Sequence, residues 1–306
     1  MRILVTGGTG FIGSALVRRL VDRGDDVVVF SRNVPPPKEP AAHGHARVTH
    51  VQWTPETAGP WQETVKEVDA VVHLAGQGIM DHRWSPEFLE ACRNSRIRPT
   101  RLLADALCKG TRCKTWVSAS AVGYYGMDTG GAEVDESTPA GTDVLARMCV
   151  DWEGAADPAR DAGVRVSHPR IGLVLGRDGG VFAKMLPAFK AFVGGPLGCG
   201  IQYFPWVHIE DTVSALVFAV DTKDFQGPFN LVSPNPVTMG EFARSLGSAL
   251  GRPSFMAVPA FALKLALGEQ SRALLTGQRA IPKKLADARF PFLYPELGSA
   301  LSDLTE

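Results

Sequence analysis

Short apolar runs and longer stretches of helical periodicity alternate along most of the chain. The first run, Arg2–Thr6, is rich in β-branched residues and predicts a buried strand, and apolar positions recur at helical spacing after it. Similar runs predict strands at 27–30, 47–51, 70–76, 115–118, 164–171 and 228–232. Helices are predicted at 85–108, 143–160, 211–220 and 238–250. Because strands alternate with helices, we expect an α/β fold with a doubly wound parallel sheet of Rossmann type.

Three glycines lie where the first predicted strand turns into the first helix, in the pattern Gly-x-x-Gly-x-x-Gly. Glycine adopts conformations closed to other residues, lets the backbone approach a diphosphate and lets the helix pack closely on the strand. The free N–H groups and positive dipole end of the helix would then face the anion, which predicts a dinucleotide site. The alternative is an ordinary βα turn. The predicted contacts are Gly7, Thr9, Gly10, Phe11, Ile12 and Gly13.

The residue after the second predicted strand indicates which dinucleotide would bind. A carboxylate there accepts hydrogen bonds from the ribose 2′-hydroxyl of NAD, whereas an arginine pairs with the 2′-phosphate of NADP. Here the strand ends at Ser31-Arg32, and Arg32 lies about 20 residues beyond the glycines, where the acidic residue would stand. We therefore predict NADP(H) as the cofactor, with Ser31 and Arg32 as contacts. The alternative is a solvated surface arginine.

Two further segments at the ends of predicted strands are expected to face the cofactor. The strand at 70–76 runs into a turn of small residues whose backbone can lie against a ligand. Val174 follows the strand at 164–171, and ligands of open α/β sheets sit outside the carboxyl ends of the strands. The predicted contacts from these segments are Leu74, Ala75, Gly76 and Val174.

The pattern loosens after Gly176, which indicates a second, smaller unit. Residues 184–200 mix apolar side chains with glycines and prolines, as in a pocket lid or a crossover between domains. The C-terminal part alternates short helical pieces with proline breaks. We predict an NADP-binding domain of residues 1–175 plus 206–232, and a substrate-binding domain of residues 176–205 plus 233–306.

Composition argues against several kinds of partner. Lys and Arg together number 32, as do Asp and Glu, so the chain has no net positive charge that would attract nucleic acid or an anionic membrane. No apolar run is long enough to span a bilayer, and the N-terminus lacks a secretory signal pattern. The five cysteines lack metal-site spacing, and no ligand cluster accompanies His43 and His45. We expect no metal, no nucleic acid, no membrane, reduced thiols and a cytoplasmic protein.

Several motifs in order resemble the extended short-chain dehydrogenase/reductase superfamily over nearly the whole chain. They lie at 7–13, 73–76, 118–126, 169–170, 204–211 and 227–231. Three segments are similar to its "epimerase family protein" branch: Ser-Ala-Val-Gly-Tyr-Tyr-Gly at 120–126, Asp-Trp-Glu at 151–153, and the C-terminal region 278–297. The resemblance implies an epimerase/dehydratase-like fold with a smaller C-terminal substrate domain. It implies a small-molecule substrate that the sequence does not identify.

The resemblance breaks down at the residues that the superfamily uses for proton transfer. Its active members carry Tyr-x-x-x-Lys on the helix after the serine segment, and the lysine lowers the tyrosine pKa from about 10. Aligned on Glu153, those positions fall on Leu145 and Cys149, and residues 143–160 contain neither tyrosine nor lysine. Because leucine cannot move a proton and a neutral thiol supplies no cation, the usual mechanism is not expected.

Four other residues are candidates for chemistry or cofactor contact. Ser120 matches the superfamily's serine, which bonds a substrate oxygen, although ungapped counting from Gly126 puts Ala121 there. Tyr124 and Tyr125, on the loop that follows, are each a candidate proton donor, with packing as the alternative. Arg96 belongs to a Ser-Arg-x-x-x-Thr pattern shared with the branch, and it either contacts the cofactor or forms a surface ion pair.

Two functional hypotheses follow from these features. The first is an NADP-dependent oxidoreductase or epimerase-like enzyme with a non-standard proton donor, which Ser120 and a full-length substrate domain favour. The second is a non-catalytic NADP(H)-binding protein whose nucleotide state governs a partner, which the missing dyad favours. The phosphate turn fits both hypotheses, and we favour the first.

Overall fold

The computed structural model describes residues 1–33 and 47–306; residues 34–46, which include His43 and His45, lie outside the described part. The strands are β1 (Arg2–Thr6), β2 (Asp26–Ser31), β3 (Val48–Gln52), β4 (Ala70–His73), β5 (Thr115–Ser118), β6 (Ser120–Ala121), β7 (Glu133–Val134), β8 (Arg165–Ile171), β9 (Leu173–Gly176), β10 (Tyr203–Phe204), β11 (Trp206–His208), β12 (Gly227–Leu231), β13 (Val237–Thr238) and β14 (Arg279–Ala280).

The α-helices are α1 (Phe11–Asp22), α2 (Trp61–Lys66), α3 (Pro86–Leu107), α4 (Val144–Gly154), α5 (Asp157–Asp161), α6 (Gly180–Lys190), α7 (Ile209–Asp221), α8 (Met239–Leu250), α9 (Ala260–Leu267), α10 (Arg272–Leu275), α11 (Lys283–Asp287) and α12 (Leu297–Thr305). Single turns of 3-10 helix occupy Val122–Tyr125 and Gly268–Ser271.

A parallel sheet in the order β12-β8-β5-β4-β1-β2-β3 organises the structure, and β6 pairs with β8 beyond the end of β5. Strand β1 lies between β2 and β4, with Leu4 opposite Val28 on one side and Val71 on the other. The strand order therefore reverses at β1, and such a switch point opens a crevice outside the carboxyl ends of the strands. The predicted doubly wound sheet of Rossmann type is confirmed.

Both faces of this sheet are covered by helices. Because side chains alternate along a strand, Ile3 and Val5 pack with α1 and α7, whereas Leu4 packs with α2 and α3. Strands that are buried on both faces are apolar at nearly every position. This double burial explains why the sequence shows continuous apolar runs rather than alternation.

A second core joins α6, α8 and α12. Phe182 and Phe189 of α6 pack there with Phe242 of α8 and Leu301 of α12. In contrast, Leu285 of α11 belongs to the core of the main sheet, although it lies far along the C-terminal part. The predicted division into two domains stays a prediction, and the cores show only which side chains pack together.

Two stretches differ from the prediction for local reasons. The helix expected over 143–160 is divided into α4 and α5, and Pro158 stands in the first turn of α5, where proline needs no N–H partner. The loosened stretch 184–200 begins inside α6, which carries Pro187 within it. The glycines and prolines around α6 hid its helical periodicity.

No helix within residues 1–33 and 47–306 combines the length and the apolar character needed to cross a bilayer. Those same residues hold no group of three or more His, Cys, Asp or Glu side chains placed to bind a metal ion. All five cysteines are free thiols, of which Cys108 and Cys199 are exposed and the other three are buried.

Candidate functional site

The glycine turn between β1 and α1 forms one wall of the crevice at the switch point. Gly7 has a left-handed backbone (φ +70°), and the Gly10 N–H donates to the Gly7 carbonyl at 2.9 Å. Among the described residues no side chain caps α1, and its first turn contains no acidic residue. The N–H groups that precede the helix's own hydrogen bonds are free for an anion, and they belong to Phe11, Ile12 and Gly13.

The three glycines differ in the space around them. A Cβ added to Gly13 would lie 2.0 Å from the Gly7 carbonyl oxygen, and one added to Gly7 would lie 2.9 Å from the Leu74 carbonyl carbon. Neighbouring backbone atoms therefore leave no room for a side chain at Gly7 or Gly13. A Cβ on Gly10 would meet only the Gly7 oxygen, at 3.3 Å, and otherwise open space. Gly10 thus faces an open cradle of the kind that a diphosphate fills.

A chain of hydrogen bonds fixes the turn after β4 against the end of β1. The Ala75 N–H donates to Thr6 Oγ1 at 3.3 Å, and Thr6 Oγ1 lies 2.6 Å from His73 Nδ1. His73 Nε2 lies 3.1 Å from Thr100 Oγ1, which donates its own proton to the Arg96 carbonyl. We therefore assign the His73 proton to Nε2. Burial lowers the pKa of His73 to about 3, so the ring stays neutral.

Ser31 and Arg32 lie at the carboxyl end of β2, beside the strand that carries the glycine turn. Phe30 pairs with Thr6 of β1, so Arg32 extends beyond the last paired residues of the two strands. The Ser31 hydroxyl donates to the Asn33 carbonyl at 2.7 Å, and the Arg32 side chain is exposed. The structure therefore places Arg32 at the switch-point edge, and its contact with a 2′-phosphate stays a prediction.

Arg96 lies on α3 directly behind the turn at 74–76. A Cβ added to Gly76 would lie 3.3 Å from Arg96 Cγ and 3.4 Å from its Cζ, so the missing side chain makes room for the arginine. The guanidinium donates to the Cys92 carbonyl at 2.9 Å and lies 5.2 Å from the ring centroid of Trp152. It forms no ion pair with any carboxylate among residues 1–33 and 47–306.

The charge of Arg96 is poorly compensated. Burial lowers the pKa of its guanidinium, against smaller opposite effects that include the charge of Asp81. A half-buried cation with no carboxylate of the described residues in ion-pair contact is costly, so this position favours an anionic ligand. The surface ion pair that was the alternative for Arg96 is formed instead by Arg93, whose guanidinium lies 2.8 Å from the Asp151 carboxylate.

Ser120 lies in a buried polar network. Its side chain is 2% exposed, and its hydroxyl donates to Glu153 Oε1 at 2.6 Å. Arg170 donates to both oxygens of Glu153, at 2.9 Å from Nε and 3.0 Å from Nη2. Burial opposes the charge of Arg170, but the hydrogen bonds and charge of Glu153 raise its pKa above the ordinary value. Because the Ser120 proton is held by Glu153, its catalytic role stays a prediction.

The two tyrosines of the 3-10 turn contact the same guanidinium. Arg170 Cζ lies 3.3 Å from the ring centroid of Tyr124, and its Nη1 donates to the Tyr125 hydroxyl at 3.0 Å. Tyr125 donates to Asn230 Oδ1 at 2.7 Å, and burial raises its pKa to about 12. Tyr124 is half-buried. Its contact with Arg170 is a packing role, and its role as a proton donor stays a prediction.

The two positions that align with the superfamily's dyad lie on α4 and face the 3-10 turn. A Cβ added to Gly123 would lie 3.6 Å from Leu145 Cβ and 3.8 Å from Cys149 Sγ. Burial raises the pKa of Cys149 to about 12, so its thiol stays neutral. The cations that oppose this rise in the Cys149 pKa do not lie on α4; they are Arg96 of α3 and Arg170 of β8. At this point α4 therefore offers an apolar side chain and a neutral thiol.

Two predicted contacts direct their side chains away from the cradle. Phe11 packs its ring on the turn between β9 and α6, where a Cβ added to Gly176 would lie 2.6 Å from it. Val174 is 7% exposed and packs in the core of the main sheet opposite Val207, and its contact with the cofactor stays a prediction.

The residues that hold the site together were not among the predicted contacts. They are the hydrogen-bonded groups Thr6, His73, Thr100, Glu153, Tyr125 and Arg170. The available signal was a polar side chain in an otherwise apolar strand, such as Thr6 in β1 and His73 in β4.

A glycine cradle at the switch point of a doubly wound sheet defines the class as an α/β protein with the NAD(P)-binding epimerase type of fold. The family model described as "NAD dependent epimerase/dehydratase family" matches residues 3–231. A second model, a domain of unknown function (DUF1731), matches residues 258–304. The chain therefore belongs to the NAD-dependent epimerase/dehydratase family, and the predicted resemblance is confirmed.

Several relatives match nearly the full length. An epimerase family protein of Mycobacterium leprae is 41% identical over 304 residues, covering 99% of this chain and 95% of that protein. The human epimerase family protein SDR39U1 is 38% identical over 309 residues, or 99% of each chain. A crystal structure of human SDR39U1 with NADPH superimposes with a TM-score of 0.88 at 35% identity, covering 100% of this chain and 99% of that one.

Proposed function

We propose that the protein binds NADP(H) in the crevice at the switch point. The open cradle at Gly10 carries this proposal, because a turn closed on two sides by backbone and open on the third fits a diphosphate. Arg32 would pair with the 2′-phosphate, and the turn at 74–76 would lie along the ligand. The solved complex of the human relative with NADPH supports the choice of cofactor.

We further propose an oxidoreductase or epimerase-like activity that works without the Tyr-x-x-x-Lys dyad. Bound NADP(H) would supply or accept a hydride, and the protein would orient the cofactor and exclude water from it. Arg96 would provide the positive charge that the dyad lysine provides elsewhere, since its guanidinium lies between the turn at Gly76 and Trp152 of α4. Ser120 and Tyr124 are the proposed hydrogen-bonding groups for a small-molecule substrate whose identity stays open.

A specific observation favours a second candidate, a non-catalytic protein whose cofactor state governs a partner. The Ser120 proton is committed to Glu153, and the Tyr124 ring is stacked on Arg170. The Ser120 hydroxyl must release Glu153 before it can donate to a substrate oxygen. In both cases five unpaired cysteines suit a reducing compartment, and we propose a cytoplasmic location.

Affinity measurements with both dinucleotides test the cofactor proposal. NADPH should bind more tightly than NADH, and Arg32→Ala should weaken NADPH alone by about 10- to 100-fold, the loss of one charge-assisted contact. Titration of cofactor fluorescence gives these affinities. The matched control is Arg98→Ala, an exposed arginine on α3. Equal affinities in the native protein, or an Arg32→Ala variant that keeps its NADPH affinity, would contradict the proposal.

A further inference from the structure

Seven of the eight residues of helix α9 are apolar, yet none of the eight is buried. Phe261 and Leu265, one turn apart on the same face, are 74% and 80% exposed. A helix of a water-exposed surface normally turns its apolar side to the core and its polar side to solvent. An exposed apolar pair of this kind therefore indicates a surface that something else covers.

The neighbouring segments extend the same surface. The backbone of 255–258 runs beside 194–198, with the Met256 N–H donating to the Gly194 carbonyl at 3.2 Å and the Val258 N–H donating to Pro196 at 2.9 Å. Phe192 and Phe255 are 54% and 79% exposed. We call the combined surface the apolar face, and its members are Phe192, Val193, Phe255, Met256, Phe261 and Leu265.

The two segments that supply the apolar face are basic. Residues 179–209 and 242–268 contain no Asp or Glu, and the carboxylates of Asp178, Glu210, Glu241 and Glu269 flank them along the chain. The same two segments carry five exposed cations, namely Lys184, Lys190, Arg244, Arg252 and Lys264. One of them, Arg252, lies 4.3 Å from the ring centroid of Phe192. The balanced charge of the whole chain, which gives no reason to expect a membrane partner, therefore conceals a local excess of positive charge.

We propose that the apolar face docks on an anionic lipid surface. Exposed aromatic and aliphatic side chains gain free energy when they enter a lipid interface, and nearby lysines and arginines add attraction to anionic headgroups. The α9 helix has 8 residues, a length of about 12 Å, so it would lie along the interface and not cross the bilayer. A second copy of the chain fits less well, because a two-fold contact brings the same cations of both copies together.

Vesicle co-sedimentation of the full-length protein tests this proposal. The protein should pellet with vesicles of equal parts phosphatidylglycerol and phosphatidylcholine, and much less with phosphatidylcholine alone. Phe261→Ser and Leu265→Ser should each weaken binding by about tenfold or more, the value of one buried apolar side chain. Lys190→Gln and Lys264→Gln should each weaken it by about fivefold, and added salt should weaken binding of the native protein.

The matched control is Val48→Ser, which removes an apolar side chain that is 42% exposed on β3, outside the apolar face. Circular dichroism shows that each variant is folded. The proposal fails if the native protein does not pellet with anionic vesicles, or if Phe261→Ser binds them as well as Val48→Ser does. It also fails if Phe261→Ser instead converts a dimer to a monomer in light scattering. Competition by soluble dihexanoyl-phosphatidylglycerol would point to a pocket for single lipid molecules and would overturn surface docking.

Discussion

Arg93 and Arg96 lie nearly one turn apart on α3 and have opposite surroundings. Arg93 is paired with Asp151 at the surface, where an ion pair contributes about 0–1 kcal/mol. Arg96 is half-buried between Gly76 and Trp152, and no carboxylate of the described residues forms an ion pair with it. Helical periodicity alone could not separate the two arginines, because the difference arises from what α4 and the β4 turn bring next to them.

Removal of the Arg96 charge should therefore weaken NADPH binding. Arg96→Gln keeps most of the volume and removes the cation, and we expect a loss of about 10- to 100-fold, as for a charge-assisted contact. Arg96→Lys should recover part of the loss. The measurement is the dissociation constant from fluorescence titration. Arg93→Gln is the matched control and should change it by less than about threefold; an equal effect of both changes would refute a special role for Arg96.

At the level of elements, the turn between β1 and α1 was predictable because its signal is local. The strand, the three glycines and the helix follow one another within 20 residues. Thr238 likewise caps α8 through a local signal, with Glu241 three residues on completing the capping box. The partners of Ser120 were not predictable, because Glu153 and Arg170 reach it from α4 and β8. Pairing between distant segments leaves no periodic trace in the sequence.

The turn gives a sharp test of the cradle. Gly10→Val should abolish binding of both dinucleotides and leave the fold intact, because its side chain would enter open space where the diphosphate should lie. Gly131→Val is the matched control, since a Cβ there meets nothing within 4 Å. Cofactor titration and circular dichroism give the two readouts. A folded Gly10→Val protein with normal affinity would show that the turn is only structural.

Helix α4 determines what chemistry to expect. If Leu145 and Cys149 occupy the dyad positions, as the sequence predicts, the native protein should bind NADPH yet oxidise it very slowly across a broad panel of carbonyl compounds, since a positioned acid/base contributes about 10²–10⁴-fold. The decrease in NADPH absorbance with time gives the rate of oxidation. The double change Leu145→Tyr with Cys149→Lys should raise turnover if a substrate pocket is present. Rapid oxidation by the native protein that survives both Ser120→Ala and Tyr124→Phe would mean a different proton donor.

For the whole molecule, the sheet and its coverage follow from sequence more readily than the second core. Continuous apolar runs indicate strands buried on both faces, and alternation with helices fixes their parallel order. The core around α6 is built from helices whose glycines and prolines obscure their period. Leu285 joins the main core from a segment far along the chain, and only the folded structure reveals such a contact.

Because His73 is buried and neutral, the free energy of unfolding should depend on pH. The folded pKa is about 3 and the unfolded value 6.5, so below about pH 6.5 only the unfolded chain takes up a proton on this ring. Its contribution is therefore complete above pH 6.5 and is lost as the pH falls toward 3. One proton corresponds to about 1.4 kcal/mol of unfolding free energy per pH unit.

Urea denaturation at a series of pH values between 6 and 4 tests this coupling. The native protein should lose unfolding free energy steadily over that window, and His73→Gln should reduce the slope by about 1.4 kcal/mol per pH unit, because glutamine cannot take up a proton. Glutamine keeps an amide donor near Thr100, so the slope and not the absolute stability is the readout. His50→Gln, on the outer strand β3, serves as the comparison. If the plots of unfolding free energy against pH were parallel for His73→Gln and the native protein, the ring would already be protonated or solvated in the folded state. The assignment of a buried, neutral His73 would then be wrong.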